Sequence, residues 1–568
     1  MFPKLLSPFR PFLPFSGASI SDRMTLRALR ATPFVLFTLI LLWGCGGEDA
    51  QLGSGNDDAA HSAHGDHGDP GGRELGEVTF PTSCAEEVQP RFEEGIALLH
   101  SFYFTESRNA FEQVAEDDPS CAMAHWGIAM SHRGNPFAGP VPPGGDEAGL
   151  AAAERARELG GGTEREDGYV EAVIAFFRDH DSEDYRSRML RYEEVMDRLR
   201  QEHPDDWEAT IFFAREVTAN ASPGDQTFER QMRAAELMEP LFEQHPRHPG
   251  LAHYIIHAYD TPQLAERGLA AARAYEEIAP DAPHALHMPS HIYTRLGYWD
   301  ESIDMNRRSA EAGHPDSPHR LHAWDYKVYG FLQQGRDDAA AAILEEAERF
   351  SERVEGGLSY NGAAMPARYA LERDRWPEAA VLPVRTAPGT PQEAVTRFAR
   401  GIGAARTGDV VAASEEAAAL ARIRDALRDQ GEEDWAERTE AQRLTVAAWV
   451  AHVQGEVEDA LRMAEEAGEI ETRVEKHPVT PGPLIPAREL HADLLMDLQR
   501  YEEALGAYER TLEREPNRAR ALAGAAQAAE LAGEGARARE HYTALLDLMD
   551  AADVERPELL RARRYLED

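Results

Sequence analysis

The chain has 568 residues, more than one compact core accommodates, so several domains or one long repeat array are expected. Acidic residues outnumber basic ones by 101 to 59, and the formal net charge is −42. A surface of that charge repels phosphate backbones, which excludes nucleic acid as the expected partner.

The first 45 residues have the features of an export signal. A segment that opens at Met24 carries two arginines and then an apolar run over residues 33–43, well short of the roughly 20 residues of a membrane span. The run ends in Leu-Trp-Gly-Cys, which resembles a bacterial lipobox and predicts lipid modification of Cys45. We therefore expect a lipoprotein of the bacterial cell envelope, facing the periplasm on the outer membrane. An uncleaved short anchor is the alternative, and the pattern permits translation from Met1 or from Met24.

Residues 46–80 lack apolar periodicity and are expected to form a disordered tether rich in His, Asp and Gly. Its histidines, His61, His64 and His67, can chelate metal weakly.

Two further cysteines, Cys84 and Cys121, follow the tether. Their separation of 37 residues is about one helical repeat, which puts both near the starts of adjacent hairpins. In an oxidising, exported setting this spacing predicts a disulfide. The alternative is a pair of buried small apolar side chains.

The C-terminal part shows a repeat of 34 residues. Small Ala504 and aromatic Tyr508 recur as Ala538 and Tyr542, and a proline follows the first unit at Pro516. This pattern resembles the tetratricopeptide repeat (TPR), in which small residues permit close helix contact and the aromatic fills the gap. The resemblance implies an all-α fold, a right-handed superhelical solenoid of helical hairpins.

Less regular units of the same kind precede it. We expect degenerate TPR hairpins over residues 81–250, a central TPR array over 251–475 and a regular TPR pair over 485–568, with the Pro-rich stretch KHPVTPGPLIP before that pair. Three stretches, CAEEVQPRFEEGIALLHSFYF, PHALHMPSHIYTRLGYWDESIDMN and KHPVTPGPLIPAREL, together resemble a family of exported bacterial TPR proteins without an established activity. That resemblance implies an extracytoplasmic setting and a protein or peptide partner in the concave groove.

Histidines recur at helical spacing through the central array. In TPR register the second, fifth and ninth residues of each repeat line the concave groove, and these positions hold His253, His257, His284, His287, His291, His322 and Asp325. First helices of neighbouring hairpins lie about 8–10 Å apart, so these side chains can converge on a shared ion. Imidazole ligands without thiolate favour Zn or Cu.

Two interpretations of this histidine set stay open from sequence. It forms a transition-metal site, or its members line a polar peptide groove or are hydrogen-bonded histidines of the core. Tyr293 and Tyr329 lie beside the histidines and are expected to form an aromatic wall of the groove, with core packing as the alternative.

The function expected from these observations is a lipid-anchored TPR scaffold that binds a protein or peptide and, at the histidines, a transition metal. One alternative is a metal-dependent hydrolase or oxidase with Asp325 or Asp260 as base; another is a periplasmic metal store or chaperone. The sequence contains no H-E-x-x-H, Walker, G-x-S-x-G or haem-attachment motif. The TPR resemblance carries no catalytic residues over to this chain.

Overall fold

The computed structural model describes residues 73–353 and 358–567. The predicted signal segment, Cys45 and most of the predicted tether lie outside these ranges. Within the described ranges every regular element is a helix, and none of these helices is long and apolar enough to cross a membrane.

The helices follow a short 3-10 turn at Glu86–Val88 and are numbered in chain order. Their bounds are α1 Gln89–His100, α2 Phe104–Asp117, α3 Ala122–Arg133, α4 Gly145–Leu159, α5 Glu164–Phe177, α6 Tyr185–Glu202, α7 Trp207–Ala219, α8 Glu229–Gln244, α9 Pro249–Tyr259, α10 Ala265–Ile278, α11 Pro283–His287, α12 Pro289–Leu296, α13 Trp299–Ala312, α14 His319–Gln333, α15 Asp337–Ser351, α16 Tyr360–Leu371, α17 Trp376–Ala380, α18 Pro391–Arg406, α19 Val410–Asp429, α20 Glu433–Gln454, α21 Val457–Arg473, α22 Ala487–Asp497, α23 Tyr501–Arg514, α24 Ala519–Ala532, α25 Gly535–Leu548 and α26 Pro557–Glu567.

Consecutive helices pack as hairpins, and the first helices of successive hairpins also contact one another, as α14, α16, α18, α20 and α22 do in turn. The predicted all-α solenoid is confirmed. Small residues set the spacing: the Phe111 ring lies against Gly95 and Gly127, where an added Cβ would come within 2.8 and 2.5 Å of it. Tyr508 covers Gly524 in the same way. The aromatic side chain thus fills space that glycine leaves between packed helices.

The N-terminal hairpins are linked covalently, because Cys84 and Cys121 form a disulfide. Cys121 stands directly before α3, and Cys84 stands two residues before the 3-10 turn that leads into α1. The bridge therefore joins the starts of two first helices.

The C-terminal hairpins return to the central ones. Trp299 donates its indole N–H to the carbonyl oxygen of Asn517 at 2.9 Å. Gly297 has a positive φ of 69°, and a Cβ there would lie 2.2 Å from the carbonyl oxygen of Pro516. Arg556 pairs with Asp337, 219 residues away. The Pro-rich segment (residues 476–486) also lies against the histidine-bearing helices, through Lys476 and the Val479 carbonyl.

Candidate metal centre

The six predicted histidines lie on the first helices of three successive hairpins. Helix α9 carries His253 and His257, the α11–α12 pair carries His284, His287 and His291, and α14 carries His322. Prolines open α9, α11 and α12, since proline fits the first turn of a helix, where its missing N–H costs nothing. Residues three or four apart then share one helix face.

The structure divides these histidines into two groups. The first triad is His253, His257 and His284, and the second triad is His287, His291 and His322. Within each triad, one ring nitrogen of each histidine lies within 4.8 Å of those of the other two. The triads are neighbours: the His284 and His287 ring centroids are 6.0 Å apart, and those of His257 and His291 are 6.1 Å apart.

In the first triad all three Nε2 atoms are buried and have no hydrogen-bond partner among the described residues. His253 donates from Nδ1 to the carbonyl oxygen of His100 at 2.6 Å, so its proton is on Nδ1 and its Nε2 carries a lone pair. The His257 ring stacks on Phe137 at 3.9 Å. Orphaned buried polar atoms are rare, and three of them on histidines whose ligand atoms lie within 4.8 Å of one another indicate a ligand.

In the second triad every Nδ1 faces an oxygen. The pairs are His287 with Asn306 Oδ1 at 2.6 Å, His291 with Asp260 Oδ2 at 2.8 Å, and His322 with the Val479 carbonyl at 3.0 Å. The Asn306 amide is oriented by its own N–H donation to the carbonyl of Ser302 at 2.8 Å, so its oxygen can only accept. All three rings therefore carry their proton on Nδ1, which is how protein oxygens commonly orient metal-bound imidazoles.

This tautomer creates an electrostatic conflict inside the second triad. The Nε2 atoms of His287 and His291 are 3.0 Å apart, and each presents a lone pair to the other. Burial, together with His322 and His291, holds the pKa of His287 well below its usual range, so a proton does not bridge the pair at neutral pH. A metal cation between the two atoms converts this repulsion into two coordination bonds.

The remaining imidazoles are also neutral near pH 7. Burial lowers the pKa of His253 to about 3 and holds those of His257, His284 and His322 well below the usual value. The pKa of His291 is lowered as well, chiefly by burial and against the pull of Asp260. Neutral imidazole is the form that binds metal.

Asp325 does not join the predicted ligand set. It follows His322 by three residues, a rotation of about 60° around the helix axis, which turns it towards α16. There its carboxylate accepts from Arg368 Nε at 3.3 Å and from Asn361 Nδ2 at 3.1 Å. Burial raises the pKa of Asp325, and Arg368 opposes that rise.

Neither predicted groove tyrosine lies against the triads. Tyr293 is two residues beyond His291, on the opposite helix face, and its hydroxyl donates to Glu276 of α10. The Tyr329 hydroxyl donates to Glu515 at 3.1 Å and accepts from Arg518 at 3.0 Å, both in the C-terminal hairpins.

Sequence reasoning missed the role of the Pro-rich segment. Lys476 donates to Asp260 at 2.9 Å, and the Val479 carbonyl orients His322, so the segment lies over the second triad. Asp260 also accepts from Arg295 at 2.8 Å. Burial opposes ionisation of this carboxyl, but Lys476, Arg295 and His291 outweigh it and hold the pKa of Asp260 well below its usual range. Asp260 is therefore a fixed anion that orients His291. The sequence did contain a signal for this role, because Lys476 and His477 open a Pro-rich stretch that interrupts an otherwise regular series of repeats.

A third histidine group, which the sequence patterns also did not reveal, already has hydrogen-bond partners for its ring nitrogens. His100 and His248 each place Nε2 3.0 Å from one oxygen of Glu208. The Nδ1 of His100 lies 3.0 Å from the Tyr254 hydroxyl, and the Nδ1 of His248 accepts from the Leu251 N–H at 3.2 Å. Burial works against the Glu208 anion, but the two histidines lower its pKa to about 2. This network leaves no free ligand atom, so it braces α1, α7 and α9 instead of offering a site.

Comparison with known proteins supports the repeat class. Residues 490–553 match the tetratricopeptide repeat family, and no curated protein matches the chain. Similar solved structures include a human IFIT1 dimer with m7Gppp-AAAA (13% identity, 76% of this chain and 90% of that chain, TM-score 0.34) and yeast Tom70 (12%, 85% and 95%, TM-score 0.27). Another is Cut9-Hcn1 of the APC/C (10%, 84% and 96%, TM-score 0.28). The family match thus places tetratricopeptide repeats at residues 490–553, and at these identities and TM-scores no function passes to this chain from the three solved structures.

Proposed function

We propose that this chain is a TPR-like scaffold whose central hairpins hold two transition-metal ions, one in each histidine triad. The observation that carries the proposal is the pair of facing lone pairs on His287 and His291, 3.0 Å apart, with both Nδ1 protons committed to oxygens. The three unpartnered Nε2 atoms of the first triad support a second ion beside the first.

The donor geometry suits Zn or Cu. Two nitrogen ligands at 2.0–2.1 Å from a tetrahedral ion are about 3.3 Å apart. The ligand atoms of each triad lie within 4.8 Å of one another, so binding requires the rings to approach by at most about 1.5 Å. Three neutral imidazoles suit Zn and Cu and leave one coordination position open.

A protein partner is the functional expectation for the repeats themselves. Concave helix faces of TPR-like solenoids present extended binding surfaces. The Pro-rich segment takes the part of that face that lies over the second triad, through Val479 and Lys476. We propose that the partner contacts other repeats and that the metal ions stabilise the central hairpins it depends on.

We further propose that the chain is exported and lipid-anchored at Cys45 in the bacterial envelope, on the periplasmic side. The disulfide between Cys84 and Cys121 supports this location, because such bonds persist in oxidising compartments.

The enzyme alternative has less support. An open coordination position at each triad favours it, but both carboxylates named as bases are held by cations, Asp260 by Lys476 and Arg295, and Asp325 by Arg368. The store or chaperone alternative conflicts with burial of the ligands, which favours a retained ion over one that is handed on.

Elemental analysis of the chain lacking residues 1–45 tests the proposal. We expect about two equivalents of Zn or Cu per chain after reconstitution at neutral pH. The double variant His253→Ala/His257→Ala should lose one equivalent and His287→Ala/His291→Ala the other. His541→Ala removes an α25 histidine that pairs with Glu509, and this control variant should keep both metal equivalents. No bound metal after reconstitution would refute the proposal.

A further inference from the structure

A second candidate site lies on the other side of the Pro-rich segment. Helices α18, α20, α21, α22 and α23 and the Pro-rich segment line a cavity that is open to solvent at one mouth. Lys476, His477 and Thr480 line this cavity, whereas Val479 between them faces His322 of the second triad. The cavity and the metal centre are therefore separate and share one wall.

The cavity reverses the charge of the rest of the protein. Six basic side chains and three carboxyl groups line it: Arg295, Arg438, Lys476, Arg488, Arg510 and Arg514 with Glu471, Glu475 and Glu515. This excess of positive charge lies in a chain of net charge −42. Low-dielectric walls of one charge sign focus the field and attract the opposite ion.

Three of these arginines have no carboxylate partner among the residues that the structure describes. Arg438 and Arg488 lie in the walls and Arg510 at the exposed mouth, whereas Arg514 pairs with Glu475 at 2.8 Å. In a chain with 101 acidic residues, unpaired arginines that converge on one cavity indicate an external anion.

Arg438 is the best placed of the three. Its Nε and Nη2 atoms donate to the carbonyl oxygen of Glu475 at 3.0 and 2.6 Å, while Nη1 is buried without a partner among the described residues. The guanidinium lies 5.2 Å from the Trp435 ring centroid. Burial without a full counter-charge lowers the pKa of Arg438. A buried cation in this state is costly unless an anion joins it.

Glu471 does not repel such an anion. Burial raises its pKa to about 8, against the hydrogen bond that its carboxyl accepts from the Ala487 N–H at 2.7 Å. At neutral pH this side chain is mostly protonated and can donate a hydrogen bond. The rest of the wall includes apolar side chains, among them Val395, Phe398 and Leu484.

We propose that this cavity binds a small organic acid with an apolar body, with its carboxylate on Arg438 and Arg488 and its hydrocarbon part against the apolar wall. The Pro-rich segment closes one side, which favours a compact ligand over an extended chain. The inference does not depend on the metal proposal, because none of the six triad histidines lines this cavity.

Isothermal titration of the chain with 4-phenylbutyrate and with its uncharged amide tests the proposal. We expect the acid to bind at least tenfold more tightly than the amide. Arg438→Gln should weaken acid binding at least tenfold, and Arg488→Gln should weaken it in the same direction. Arg462→Gln, on the exposed face of α21, is the matched control and should bind like the parent protein.

Three results would overturn the proposal. They are equal binding of acid and amide, no difference between Arg438→Gln and Arg462→Gln, and no binding of straight-chain or aryl-substituted acids at millimolar concentration. A tripeptide with a free C-terminus distinguishes the source of the carboxylate: if it binds more tightly than any small acid, and its amidated form does not bind, the ligand is a peptide end and the small-acid proposal fails.

Discussion

Asn306 provides a sharp test of the metal centre, because it controls the second triad without coordinating an ion. Its amide oxygen accepts the Nδ1 proton of His287 at 2.6 Å, and the residue is fully buried in α13. Replacement by Leu keeps the side-chain volume but removes the acceptor. The His287 proton then either stays on Nδ1 without a partner, at a cost of about 1–3 kcal/mol, or moves to Nε2 and blocks the ligand position.

Either outcome weakens metal binding at one triad. Loss of an orienting partner typically reduces metal affinity about 10–100-fold, which is about 1.4–2.7 kcal/mol. We expect Asn306→Leu to lower the affinity of the second triad within that range and to leave the first triad unchanged. Asn306→Asp retains an acceptor oxygen and should stay closer to the parent affinity.

The assay is competition against a chromophoric chelator, with His253→Ala/His257→Ala as background so that only the second triad is titrated. Far-UV circular dichroism of each variant checks that the helices are retained. If Asn306→Leu binds metal as tightly as the parent in a folded protein, the facing-lone-pair argument is wrong.

Three further outcomes are expected. The pKa of His253 falls from 6.5 to about 3 on folding, so the unfolded state binds more protons than the folded state between these two pH values. The free energy of unfolding of the metal-free protein, measured by urea titration, should therefore fall as the pH drops from 7 to 4. The variant His253→Gln should show a smaller fall. Reduction of the Cys84–Cys121 bond, which closes a 37-residue loop, should cost about 4 kcal/mol in the chain-entropy model, visible as faster hydrogen exchange in α1 to α3 under dithiothreitol; unchanged exchange would contradict it. Gly297→Ala puts a Cβ 2.2 Å from the Pro516 carbonyl oxygen at a positive φ, so it should loosen the C-terminal hairpins and speed proteolysis between α21 and α22. Gly533 also has a positive φ but has open space around it, so Gly533→Ala should change the rate of proteolysis less.

The helical repeats and the histidine stripe follow from local sequence patterns. The 34-residue recurrence of Ala504 and Tyr508 predicts hairpin packing, because small residues and rings must meet wherever two such helices cross. The spacing of His253, His257 and His284 likewise puts them on one side of two consecutive first helices. Periodicity is a property of neighbours along the chain, so sequence alone determines it.

Tertiary contacts decide how those histidines are used. The division into two triads depends on how α9, α11, α12 and α14 pack. Asp325 pairs with Arg368 of α16, 43 residues away, and so does not join the histidines. The orientation of His322 depends on the carbonyl of Val479, 157 residues away. Such pairings are set by which hairpins meet when the C-terminal repeats return to the central ones. No local period encodes that meeting, so only the tertiary structure decides which side chains face the metal centre.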